Sequence, residues 1–223
     1  MNMEIFQAVT TRRSIRRFKP DSVPEPLLRE ILEAARWSPS WGNTQPWEVS
    51  VVTGAALDRF QKANRQRLLD GVPSDPDTPM PEVWPEPLKQ RYGDLGKQVL
   101  AALEIPRGDK EARIRYAGDM FALFNAPSLL LFCVDKAIPR EYAMLDTGAI
   151  MQTVCLLAHA RGLGSCILAA SVRYPALIRE IIPIPETKAF IIGVALGFPD
   201  NEAPINQFTR ERANLDAFTL WFK

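Results

Sequence analysis

The sequence predicts an α+β fold, and two observations carry that prediction. Segments of strand and helix character follow one another as helix, helix, strand, several helices, strand, helix, strand, helix, strand, without the regular alternation of a doubly wound sheet. The chain has 223 residues, 47% of them hydrophobic, which suits one domain with a sizeable core, or one domain carrying an elaborate insertion.

Residues 3–11 place Ile5, Phe6 and Val9 at helical spacing, and that helix ends beside a run of arginines. Pro24 and Pro26 suit the entry of a second helix, whose apolar face is Leu27, Leu28, Ile31, Leu32 and Ala35; it runs to about Trp37 and Pro39 stops it. Val49, Val51 and Val52 mark a strand over Trp47–Thr53, followed by a helix from Ala55 to about Leu69. Pro73, Pro76, Pro79, Pro81, Pro85 and Pro87 forbid helix or central strand across 71–87. Helical segments at Leu88–Leu103 and Lys110–Phe124 come next, and the region from 71 to about 118 reads as an insertion or cap. The apolar run Ser128–Val134 returns the chain to the sheet. A long helix over 141–161, with Leu145, Ile150, Met151, Val154, Leu157 and Ala158 expected mostly buried, ends at Gly162-Leu163-Gly164. A strand from Ser165 to about Ala169, a helix around Tyr174–Ile181 and a strand over Lys188–Leu196 complete the pattern.

Twenty-seven basic residues against 26 acidic ones leave a net charge of +1, so no whole-molecule field gathers nucleic acid or an anionic membrane. The start, Met1 to Gln7, carries an early acid and lacks a secretory pattern. The apolar runs at Ser128–Val134 and Ala189–Leu196 fall short of the roughly 20 residues a membrane helix needs. A soluble, cytoplasmic protein is expected. Cys133, Cys155 and Cys166 show neither disulfide-framework nor zinc-ligand spacing, and a single histidine, His159, disfavours multi-histidine metal sites.

Arginine is concentrated at both ends, as Arg12-Arg13-Ser14-Ile15-Arg16-Arg17-Phe18 and as Arg210-Glu211-Arg212. Guanidinium forks match phosphate oxygens, so two such clusters folded together form an anion site; folded apart, they merely solvate turns. The stretch Pro39-Ser40-Trp41-Gly42-Asn43-Thr44-Gln45-Pro46-Trp47 is rich in amides and aromatics, suited to cover a flat heterocycle. The pair Gly162 and Gly164 follows a helix and lacks a third glycine, so it is no Rossmann fingerprint and is read as a helix cap. His159 stands four residues after Cys155, on one helix face, which opens a thiolate–imidazole reading; a cysteine inside an apolar helix is more often plain core.

Taken in order, these segments resemble the nitroreductase family of flavin mononucleotide (FMN) enzymes. The resemblance rests on the two arginine motifs, Pro39 to Trp47, Asp146-Thr147-Gly148-Ala149 with Gln152, Gly162-Leu163-Gly164-Ser165, and Ala195-Leu196-Gly197-Phe198-Pro199. It implies a central mixed or antiparallel sheet flanked by helices, in an intertwined homodimer with two flavin sites at the subunit interface. It also implies that Arg12, Arg13 and Ser14, joined by Arg210 and Arg212, hold the phosphate and ribityl chain, and that Arg16 faces the pyrimidine edge of the ring. Pro39, Ser40, Trp41 and Asn43 would come from the partner subunit. Ile167, Leu168, Ala169 and Ala170 would lie along the ring, with a backbone N–H of Ala169 or Ala170 near N5. Some family members carry proline and a Glu-Gly pair there; the alanines leave no side-chain role to expect.

The implied reaction takes hydride from NADH or NADPH and reduces a nitroaromatic, quinone or related acceptor in ping-pong fashion, with no catalytic side chain and no metal. Another FMN reaction (reductive dehalogenation, alkene reduction or flavin breakdown) and non-catalytic flavin binding stand as alternatives.

Overall fold

The computed structural model describes residues 3–223; Met1 and Asn2, at the head of the leader reading, lie outside them. Four strands, β1 (Trp47–Thr53), β2 (Ser128–Asp135), β3 (Gly164–Leu168) and β4 (Lys188–Gly197), form one sheet in the order β1-β2-β4-β3. Every pairing is antiparallel. The helices are α1 (Ile5–Thr11), α2 (Glu25–Ala35), α3 (Gly54–Leu69), α4 (Leu88–Ala102), α5 (Lys110–Phe121), α6 (Arg140–Ala160), α7 (Pro175–Ile181) and the single turn α8 (Pro204–Gln207).

Strand β2 lies between β1 and β4 and is buried from Ser128 to Val134, and its period of two divides the core. Leu129, Leu131 and Cys133 pack with Leu57 and Phe60 of α3, Phe121 of α5 and Leu177 and Ile178 of α7. Leu130 and Phe132 face the other way, onto Leu28 and Ile31 of α2 and Ile150 and Val154 of α6. Each such side chain contributes about 1.5–3 kcal/mol by leaving water, so a two-faced sheet is the main source of stability.

Strand β4 is ten residues long and β3 only five, so β4 has a free edge before Gly193. The proline-rich stretch closes it with side chains. Phe190 N–H donates to Asp77 Oδ2 (3.0 Å), and Thr78 Oγ1 donates to Phe190 C=O (3.0 Å). Arg179 Nη2 donates to the Lys188 carbonyl (2.7 Å) and ion-pairs with Asp77 (3.5 Å). Edge groups that would otherwise recruit a foreign strand are thereby occupied.

The expected segments form, with four differences. Helix α5 ends at Phe121, short of Phe124, because Leu123, Phe124 and Asn125 take positive φ. It packs on α3, where Asn64 donates to Phe121 C=O (2.7 Å) and Arg65 pairs with Asp119 (3.0 Å). Ile5, Phe6 and Val9 are exposed, and only Ala8 of α1 is buried. Leu145 is 70% exposed, since it sits roughly 140° around α6 from the buried Ile150. At 21 residues and a mean hydropathy of 1.2, α6 has the length and composition of a membrane span; it lies instead against the sheet, with Ile150, Val154, Cys155 and Ala158 buried.

Gly193 marks where β4 passes under the turn that follows β3. A Cβ there would stand 2.1 Å from Ser171 Oγ and 2.8 Å from Ser171 Cβ. Gly193→Ala is therefore expected to destabilise the fold by about 1–3 kcal/mol, the usual cost of overpacking, read as a lower midpoint in urea unfolding.

Candidate functional site

The two arginine clusters meet, and a residue the sequence did not single out joins them. Asn206 of α8 is 5% exposed and uses every polar atom it has. Its Oδ1 accepts from Arg16 N–H (2.8 Å), its Nδ2 donates to Arg17 C=O and Asp200 C=O (both 2.8 Å), and its carbonyl accepts from Arg13 Nη1 (3.0 Å). Residues 14–19 are laid along the sheet by Ile15 N–H donating to Ser165 C=O (2.9 Å) and Lys19 N–H to Phe198 C=O (2.8 Å). Gly164 permits that approach: a Cβ there would lie 2.5 Å from Ile15 Cγ1. Its partner glycine does the capping, for Gly162 has φ +78° at the end of α6.

Arg210 then reaches back, donating to the carbonyls of Thr10 (2.7 Å) and Arg12. Arg12, Arg13, Ser14, Arg16, Arg210 and Arg212 consequently wall one small cavity of about 90 Å3. Among the described residues none of these arginines has a carboxylate within ion-pair distance. Arg12 Nη1 is buried with no hydrogen-bond partner. Burial, and then the neighbouring Arg13, Arg212 and Arg12, hold Arg210 below its ordinary pKa. Cations with unspent donors in one recess fit an anion with several oxygens, such as a phosphate. Arg16 stands slightly apart, its guanidinium carbon 5.9 Å from the centre of the Phe208 ring. Tyr116 of α5 shares a cavity wall with Arg16, and burial raises its phenol pKa although Arg16 pulls it down. Sequence gave no signal for Tyr116 or Phe208. Asn206 had only its position before Arg210 to recommend it.

The thiolate–imidazole pair does not form. His159 Nε2 lies 2.7 Å from Thr11 Oγ1, and burial, then Arg12, Arg210 and Arg13, lower its pKa. All three cysteines are buried; burial pushes the Cys133 thiol up to about 12 and the Cys166 thiol up to about 11, and raises Cys155 too. Protonated thiols away from solvent are poor nucleophiles.

The loop after α2 is separate from the arginines within one chain. Trp41 N–H donates to both carboxylate oxygens of Asp146 (3.1 and 3.2 Å), which pins the loop to α6. Trp41 is 66% exposed, its ring centre 6.0 Å from that of Tyr142, while Pro39 and Asn43 are exposed and Ser40 Oγ accepts from Gln45 N–H (2.9 Å). Gly42 and Asn43 have φ near +56°, a tight left-handed turn that presents the indole outward.

Beyond β3 the chain makes a short turn over Ala169–Val172. Leu168 and Ala170 are buried on the α3 side, where Ala170 C=O accepts from Asn64 Nδ2 (3.1 Å). Ile167 and Ala169 line a different cavity, of about 390 Å3, on the side of α6.

Comparisons with known proteins agree with this geometry. The model of the nitroreductase family matches residues 9–198. The chain is 31% identical to a 4-nitrobenzoate reductase of Pseudomonas putida, over 95% of its own length and 92% of that protein. It is 33% identical to a nitrobenzene nitroreductase of Ectopseudomonas oleovorans, over 97% and 96% respectively. Among solved structures, the FMN- and NADPH-dependent nitroreductase NfnB from Sphigopyxis sp. strain HMH superposes with a TM-score of 0.95 at 31% identity, over 99% of this chain and all of that one. The FMN-dependent NfnB from Mycobacterium smegmatis, in complex with NADPH, gives 0.91 at 30% identity, with coverage of 99% and 100%. Matched by the family model over most of its length and more than 30% identical to full-length relatives, the chain belongs to the nitroreductase family.

Proposed function

We propose that this protein is an oxidoreductase that binds FMN and uses NADH or NADPH to reduce nitroaromatics, quinones or related electron-poor acceptors. The observation that carries the reading is the carboxylate-free arginine recess, with Arg12 Nη1 buried and unpartnered. Full-length similarity to nitrobenzoate and nitrobenzene reductases supports the substrate class. Structural similarity to FMN- and NADPH-dependent enzymes supports the cofactor and donor.

Arg12, Arg13, Arg210 and Arg212 would hold the phosphate, and Ser14 the ribityl chain. Arg16, whose backbone N–H is held by Asn206 and whose guanidinium stands over Phe208, would place positive charge at the pyrimidine edge of the ring. Ile167, Leu168, Ala169 and Ala170 would run along the ring, where alanine lets the backbone N–H come close. Bound FMN supplies the redox chemistry, accepting hydride from the nicotinamide and passing electrons to the acceptor. Each nitro-to-nitroso step consumes one NAD(P)H and one proton and releases water, and a second donor and proton give the hydroxylamine. The chain's task would be to bind, orient and shelter.

The site would be completed in a homodimer by Pro39, Ser40, Trp41 and Asn43 of the partner subunit. Support comes from exposed apolar side chains that one chain leaves in water, among them Phe6 (84%), Leu145 (70%) and Trp221 (72%). Residues 1–223 would be one domain, the proline-rich and helical region from 71 to about 118 serving as an insertion that roofs the acceptor. A reducing, cytoplasmic setting suits three unpaired cysteines.

Purified protein supplied with FMN is expected to show a flavin spectrum that bleaches under anaerobic NADH or NADPH and returns on adding a nitroarene or quinone. Bound flavin that neither donor reduces would instead favour a storage or sensing role. Replacing Arg12 by Ala should weaken FMN binding about ten- to a hundredfold, the equivalent of one charge-assisted hydrogen bond. Arg17→Ala, outside the recess, should leave it within about twofold by fluorescence titration, on the scale of exposed charges.

A further inference from the structure

The cavity of about 390 Å3 beside Ile167 and Ala169 has walls of unusual uniformity. Pro76, Pro79 and Pro81 form one side, and Met80, Met144 and Met151 supply three thioethers around it. Proline rings are stiff and flat, and thioethers pack well against the edges of aromatic rings. The proline side is also tied down. Tyr174 Oη donates to Val72 C=O (3.0 Å), Asp75 N–H donates to Arg173 C=O (3.2 Å), and Asp77 and Thr78 clasp Phe190 on β4. The recess is therefore preformed, within the size range of small-ligand sites.

One ionised side chain lines it, Arg173. Arg173 is half-buried, donates through Nη2 to Ser74 Oγ (2.6 Å), keeps Nε buried without an acceptor, and has no carboxylate partner among the described residues. An apolar recess with a lone unpaired guanidinium at its wall complements a flat apolar molecule with one anionic substituent. We infer that the protein selects nitroarenes bearing a carboxylate: the ring seated between the prolines and methionines, the carboxylate on Arg173, the nitro group toward Ala169. This rests on the oxidoreductase reading above, because Ala169 is there assigned to the flavin ring.

The test compares 4-nitrobenzoate with 4-nitrobenzamide, of like shape but uncharged, on the FMN-loaded protein. The native enzyme should favour the carboxylate in kcat/KM. Arg173→Met should erase that preference by about ten- to a hundredfold, chiefly through KM. Ser74→Ala, which removes the tether but keeps the cation, should retain it. Equal use of both acceptors by the native enzyme, or an unchanged ratio in Arg173→Met, overturns the inference. Calorimetric binding of benzoate against benzamide decides the same point without turnover: benzoate binding no more tightly than benzamide overturns it as well. Failure of the oxidoreductase reading shows differently, as flavin that neither NADH nor NADPH reduces, whatever benzoate does.

Discussion

Asn206 is the constraint on which the anion site depends. Arginines twelve to sixteen residues from one end and about a dozen from the other do not gather unaided, because unit charges a few ångström apart repel by about 4 kcal/mol even at an effective dielectric of 20. The convergence is imposed by neutral hydrogen bonds. One amide bonds the backbone of Arg16 and Arg17 to that of Asp200, while its own carbonyl takes Arg13. Arg210 adds its charge only after that, braced on two carbonyls. A recess built this way holds its repulsion in reserve, and an anion such as the proposed phosphate would relieve it.

The sheet supplies the rigidity that such an arrangement needs. Residues 14–19 lie beside Ser165 and Phe198, at the far ends of β3 and β4, so the arginine segment is an added rail at that end of the sheet. At the opposite end of the same strands, β3 stops at Leu168 and the proline-rich stretch takes over the edge of β4. Proline cannot offer ladder donors, and here it does not have to: the side chains of Asp77 and Thr78 satisfy Phe190 in place of a strand. The same shortfall in β3 thus ends one strand, anchors a rigid wall and leaves space for the apolar recess.

What could be read from sequence was whatever depends on local periodicity and on stops. The apolar run Ser128 to Val134, the valines of β1 and the proline at position 39 place their elements to within a residue or two, because each acts within one or two turns of chain. The convergence of the two arginine motifs was legible only through their resemblance to a family, since nothing local links residues so far apart. Asn206 could not be found at all, as a single amide in a polar stretch carries no pattern. Leu145 misled for a related reason, and Ile5, Phe6 and Val9 lie exposed on a helix that their spacing did locate: apolar spacing shows that a face is to be covered, without showing that its own chain covers it.

None of the residues that wall the arginine recess comes from 39–43, and Asp146 holds that loop on α6. Yet the loop spends left-handed backbone at Gly42 and Asn43 to thrust an indole outward, where alone it gains nothing from burial. Large exposed aromatics are costly to retain unless something covers them, and in the proposed homodimer a second copy of the chain would bring both a surface to cover and an open face of cofactor. On this view the exposed apolar side chains and the half-built site are one fact. In the proposed homodimer, a single symmetric association would close the exposed hydrophobic face and the face of the cofactor together.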